Sequence, residues 1–161
     1  MGQIPDWCVR LQDSDQDVRA NAAEALSLLG PEAALAAVEL VAACADHEVV
    51  REYAVAALEG MGAPLDESIA GLMGLLSHQD SLVLYWAVTL LGRVRESRDE
   101  IEKAVAIVAR DSSDLAVRQR AVWALGNMRP LLPATKSMLQ VLRASEDPRL
   151  ARLATCVLDS P

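Results

Sequence analysis

Few side chains in this sequence have the type and spacing that catalysis needs. His47-Glu48 is a pair that can ligate a metal, but the other histidine, His78, is followed by Gln79. A metal site needs more donors than that, so both histidines read as turn residues. No serine sits in a GxSxG frame or at a recognisable spacing from a histidine, so no nucleophile–base pair is legible. Gly60-x-Gly62 closes a helix where a phosphate cradle would open one. Cys8, Cys44 and Cys156 are odd in number, far apart and without a CxxC pair. They read as reduced, small core residues of a cytoplasmic protein. No catalytic residue, metal or cofactor is expected.

The remaining chemistry is that of recognition. Tyr53, Trp86 and Trp123 recur at related positions, with Tyr85 beside them, and Leu82, Leu84, Arg93, Arg120 and Asn127 complete the group. Clustered aromatic and arginine side chains on an exposed surface are the usual anchors of a protein interface. The alternative is that the rings fill gaps between packed helices, and the sequence leaves both open. A peptide or partner helix is the ligand such a patch would take.

A repeat positions these residues. Val18-Arg19, Ala22, Ala25-Leu26 and Leu29-Gly30 return as Val50-Arg51, Ala54, Ala57-Leu58 and Met61-Gly62. They return again as Val117-Arg118, Ala121, Ala124-Leu125 and Met128, with degenerate copies around Ala87 and Ala154. Anchors at 18, 50, 83, 117 and 150 give steps of 32, 33, 34 and 33 residues. A period in this range predicts a solenoid. Spacings of three and four within each copy make one apolar helical stripe, and the alanines at 22, 54, 87, 121 and 154 let helices approach closely. The aromatic positions lie about 100° from that stripe.

The expected helices are 4–11, 16–29, 31–44, 48–61, 66–76, 81–94, 99–110, 115–128, 133–143 and 148–158. Asp13, Ser14, Asp15 and Asp17 supply caps, while Gly30-Pro31 and Gly62-Ala63-Pro64 are stop signals. The polar run 95–100 closes the third copy without a glycine. Trp7 is expected to cover the first edge of the stack. At the other edge Leu153, Cys156 and Val157 are expected to be exposed, or paired with a second copy in a homodimer. No strand pattern and no long linker appears, so residues 1–161 read as a single domain with repeats near 1–30, 31–63, 64–96, 97–130 and 131–161.

Charge is lopsided. Residues 1–92 hold 14 acids and 3 bases, net −11; residues 93–161 hold 9 acids and 12 bases, net +3. The acidic part disfavours nucleic acid and would steer a basic segment of a partner. The alternative is that it serves only to keep an alanine- and leucine-rich chain soluble. No apolar run reaches membrane-spanning length, and the start MGQIPDW has neither a signal-peptide core nor a myristoylation pattern. A cytoplasmic location without membrane contact is expected.

The unit D-x-x-V-R-x-x-A-x-x-A-L-x-x-[LM]-G resembles the HEAT repeat, in the short form found in phycobilin lyases and bacterial scaffold proteins. The resemblance implies an all-α fold: an α-solenoid of about five HEAT-like helical hairpins in a right-handed superhelix. It implies that second helices line the concave face, placing Tyr53, Leu82, Tyr85, Trp86, Arg93, Arg120, Trp123 and Asn127 there as partner-binding residues. It also implies a polar ladder between repeats: Asp15 or Asp17 with Arg19, Asp46 or Glu48 with Arg51, and Asp114 with Arg118. Leu84 and Ala151 break that ladder in the third and fifth units. The expected function is a non-catalytic scaffold or adaptor that holds a protein or peptide on its concave face. The alternative is a phycobilin-lyase-like subunit or another HEAT-like enzyme-associated protein, for which no residue here matches a chromophore-handling motif. Iron-binding HEAT-like hydroxylases need more His-Glu pairs than this chain has. HEAT-like DNA glycosylases need a basic groove that the acidic half lacks.

Overall fold

A computed structural model describes residues 4–94 and 98–160. The termini at 1–3 and 161, and residues 95–97 of the polar run that ends the third copy, lie outside the described residues. Among those described there are helices and no strands. Two compact units divide within the sixth α-helix, residues 1–87 and 88–161.

The first unit holds α1 (Ile4–Arg10), α2 (Gln16–Ser27), α3 (Ala37–Ala43), α4 (Glu48–Gly60), α5 (Ile69–Gly74) and the start of α6 (Ser81–Leu91). The expected boundaries hold within a residue or two for α2 and α4. Asp15 caps α2 by accepting from the Asp17 N–H, and Gly30 and Gly62 adopt left-handed φ values of 56° and 79° at the two stops. The expected helix at 31–44 is instead a 3-10 segment, Gly30–Ala36, running into α3. No side chain caps its start, Pro31 occupies its first turn, and buried alanines at 33, 34 and 36 hold it against its neighbours. Tertiary packing here overrides the high helix propensity of alanine. The expected helix at 66–76 shrinks to α5 between two 3-10 turns, Asp66–Ser68 and Leu75–Ser77. Gly71 and Gly74 weaken it; a Cβ at Gly71 would lie 2.8 Å from Val38 Cγ2, so the Val38 side chain would have to shift to admit one.

The second unit holds the end of α6, then α7 (Asp99–Asp111), α8 (Leu115–Gly126), α9 (Pro133–Leu142) and α10 (Pro148–Asp159). Asp114 caps α8 through the Val117 N–H, and Asp147 caps α10 through the Leu150 N–H, with Pro148 in the first turn. The α7 stripe Ile101, Val105, Val108 and Ala109 packs on α8. Glu102 lies within that stripe, fully buried; its Oε1 accepts from the Leu132 N–H at 2.8 Å, and its Oε2 has no hydrogen-bond partner. Arg129 donates to the carbonyls of Val157 and Ser160, closing the C-terminal end of α10 with a cation. The Arg129-Pro130 peptide is cis.

The five alanines of the repeat, at 22, 54, 87, 121 and 154, are all 0% exposed. A larger side chain at any of them would have to enter the buried interior.

Candidate partner-binding surface

The buried stripe on each second helix leaves a defined outward side. On α2, Ala22, Ala23 and Leu26 are buried, so Asp17, Asn21, Glu24 and Leu28 face out, Leu28 at 81% exposure. On α4, Val50, Ala54, Ala57 and Leu58 are buried, leaving Val49, Glu52, Ala56 and Glu59 exposed and Tyr53 half-buried. The outward side of α2 and α4 is thus acidic with one accessible phenol, Tyr53. On α6, Leu82 and Tyr85 are half-buried, and Tyr85 meets Trp86 edge-on at 5.9 Å. Trp86 itself is only 6% exposed. Its ring is a packing element, the second of the two readings that the sequence left open for the aromatics.

In the second unit the Arg120 guanidinium lies over the Trp123 ring, 4.9 Å from its centroid, and both are half-buried. Burial first, and the neighbouring Arg149 cation second, hold Arg120 below the ordinary arginine value. Arg149 and Arg152 are exposed on α10. Asn127 is exposed, with its amide nitrogen donating to the Gly92 carbonyl at 3.0 Å, and Arg93 beside Gly92 is half-buried. Gly92 admits the Trp123 indole and Ala124: a Cβ on it would fall 2.6 Å from Ala124 Cβ and 3.1 Å from the indole. At the far edge Cys156 is exposed and Leu153 half-buried. Val157, expected there as an exposed residue, is buried on α10 close to Gly126.

The polar ladder takes a different form from the one the resemblance implied. Arg19 donates to both carboxylate oxygens of Asp46 in the next repeat, at 2.6 and 2.9 Å, and to the Asp13 and Ser14 carbonyls. That bidentate bond holds the Asp46 carboxyl below its usual range. Asp15 is committed to capping α2. Gln119 plays the corresponding part in the second unit, donating to Asp147 at 3.0 Å. Arg118 donates within its own hairpin, to the Ala109 carbonyl, and Asp114 caps α8. Arg51 is half-buried, and its charge opposes the rise of the Cys44 thiol, which burial and Asp80 push to about 12. The sequence did not single out Glu102 or Gln119. The signal for Glu102 was available: an acid three and seven residues before Val105 and Ala109, on the apolar stripe.

The HEAT repeats family matches residues 39–126 and, in an overlapping placement, 69–158. The chain belongs to the HEAT-repeat family. Among solved structures, this HEAT-repeat chain is similar to a designed armadillo repeat protein in complex with the peptide (KR)4. There the TM-score is 0.63 at 19% identity, over 98% of this chain and 81% of that one. It is similar to computationally designed armadillo repeat proteins for modular peptide recognition, with TM-score 0.64 at 19% identity over 98% and 82%. It is also similar to the complex of CpcE and CpcF of phycocyanin lyase from Nostoc sp. PCC7120, with TM-score 0.62 at 19% identity over 97% and 65%. At these identities the likeness shows an α-solenoid fold of the armadillo and HEAT kind. No protein of curated function matches. None of the described helices is long and apolar enough to cross a membrane.

Proposed function

We propose that the protein is a non-catalytic scaffold that holds an extended, basic segment of a partner protein against the second helices of its first unit. The observation that carries this is the outward side of α2 and α4, where Asp17, Glu24, Glu52 and Glu59 stand exposed around the half-buried Tyr53. Paired cations on a peptide would meet carboxylates there without deep burial, and the phenol would supply one amphipathic anchor. The fold likeness to a designed protein bound to (KR)4 supports such a ligand in kind.

The test is titration of a fluorescent (KR)4 peptide by anisotropy. Binding should weaken steeply as salt rises, and Glu24→Lys with Glu52→Lys should abolish it. Equal binding by wild type and that variant would refute the reading. The resemblance to lyase subunits is a likeness of fold, so mixing with a bilin is expected to leave its absorbance unchanged. A shifted spectrum would favour the lyase-type alternative.

A further inference from the structure

A separate surface of the first unit is built from first helices. Two hollows of about 540 and 550 Å³ share Ile4 and Leu35 and so form one groove. Cys8, Glu39 and Glu67 line one end; Glu32, Ala34 and Leu65 line the other. The floor is apolar: Ile4 and Ala34 are buried, while Leu35 and Leu65 keep 43% and 37% of their surface exposed. The 3-10 segment brings only the methyl group of Ala34 to the hollow that it lines with Ile4, Leu35 and Leu65. The rim is acidic. Among the described residues, no lysine or arginine lines either hollow. The first unit has three cations in all, of which Arg10 is paired with Asp6 and stacked on Trp7, and Arg19 is held by Asp46. Glu39 acts across the groove: with burial as the larger cause, its carboxylate pushes the Cys8 thiol to about 11.

We propose that this groove is a docking site for an amphipathic helix of a partner protein, with leucine-sized residues on one face and lysine or arginine flanking them. An apolar face would cover Leu35 and Leu65, which the chain itself leaves half open, and the flanking cations would meet Glu32, Glu39 and Glu67. An acidic rim on a unit of net charge −11 repels the two competing kinds of surface, anionic lipid and nucleic acid. This site is independent of the acidic second-helix surface. The two differ in ligand: the groove selects apolar residues as well as charge, whereas (KR)4 offers charge alone.

The experiment uses the full chain and a labelled helical probe of about 14 residues, roughly four turns, with leucine at i, i+3, i+4 and i+7 and lysine elsewhere. Anisotropy gives the affinity, and amide chemical shifts of the 15N-labelled protein give the location. Saturable binding is expected, with shifts centred on Ile4, Cys8, Leu35 and Leu65. Leu35→Arg, at a position 43% exposed, should weaken the probe about tenfold or more, as should Glu39→Lys. Circular dichroism melts check that both variants fold. Glu146→Lys, at an exposed position of the second unit, should change probe affinity less than about twofold. The proposal is overturned by no saturable binding, by shifts confined to α2 and α4, or by equal affinity for a glutamate-for-lysine probe. Self-association of the free protein that is lost in Leu35→Arg would also overturn it, because the occupant would then be a second copy.

Discussion

Replacing Gly92 with alanine tests the packing that presents Trp123. The added methyl would sit 2.6 Å from Ala124 Cβ and 2.8 Å from Ala124 Cα, with the Trp123 ring 3.1 Å away. Carbon atoms rest near 3.5–4.0 Å, so about 1 Å of separation must be opened against the backbone of α8. The indole edge could yield; the Ala124 Cα cannot yield without moving the helix. Two effects compete. Alanine reduces the freedom of the unfolded chain, which stabilises by about 0.4–1 kcal/mol. Overpacking costs about 1–3 kcal/mol, and the contact is close enough for that cost to win. The expected net loss is about 1–2 kcal/mol, a fall in melting temperature of roughly 2–8 °C for a chain of this size. Thermal and urea melts followed by circular dichroism measure it. Trp123 emission should shift in the folded variant, since the displaced methyl presses on the ring. Ala124→Gly placed in the same chain removes the 2.6 Å contact with the Ala124 methyl and leaves the one with Cα, so the double variant should lose less than the sum of the single losses. A Gly92→Ala midpoint equal to or above wild type, or strict additivity with Ala124→Gly, would refute the reasoning.

Three further outcomes follow from the same structure. Ala121→Leu, at a fully buried position of the alanine column, should destabilise by about 1–3 kcal/mol in denaturant melts. Glu102→Ala should cost about 2–4 kcal/mol, because it leaves the Leu132 N–H unpaired and a cavity behind; Glu102→Gln, which keeps an acceptor for that N–H, should cost less. Asp46 should titrate below the usual carboxylate range near 4 when followed by carbon-detected NMR, and move back toward it in Arg19→Gln. Its folded pKa is the lower one, so the stability it contributes is complete above about pH 4 and is lost as pH falls through the depressed value.

The core column was legible because it follows from spacing. Five alanines at one register position can all be buried only if every second helix presents the same stripe, and they are. Which aromatic rings face out was not legible, and α6 explains why. Its sequence SLVLYWAVTLL is apolar around its whole circumference, and residues 86–91 are all buried. Periodicity identifies an outward side only where polar residues mark it. Tyr53 lies on a helix with glutamates at 52 and 59, and Trp123 on one with Arg120, so their surroundings carried the information that Trp86 lacked. The ladder escaped for another reason: Arg19 has carboxylates two and four residues away, and sequence distance favours those over the one 27 residues on. The 3-10 segment escaped because alanine-rich sequence suits either helix type until packing decides.

The bond from Arg19 to Asp46 joins the second helix of one hairpin to the internal turn of the next, and Gln119 to Asp147 does the same with an uncharged donor. The places where a hairpin ends, such as Gly62, lie outside that fastening. Segments exchanged between related chains with their joins at those ends would carry each hairpin's own turn whole, whereas joins made inside a hairpin would separate a turn from the helices that aim it. A recombination library should therefore return soluble chimeras mainly from crossovers at the hairpin ends, and the fastening with the uncharged donor should tolerate brine better than the ion pair.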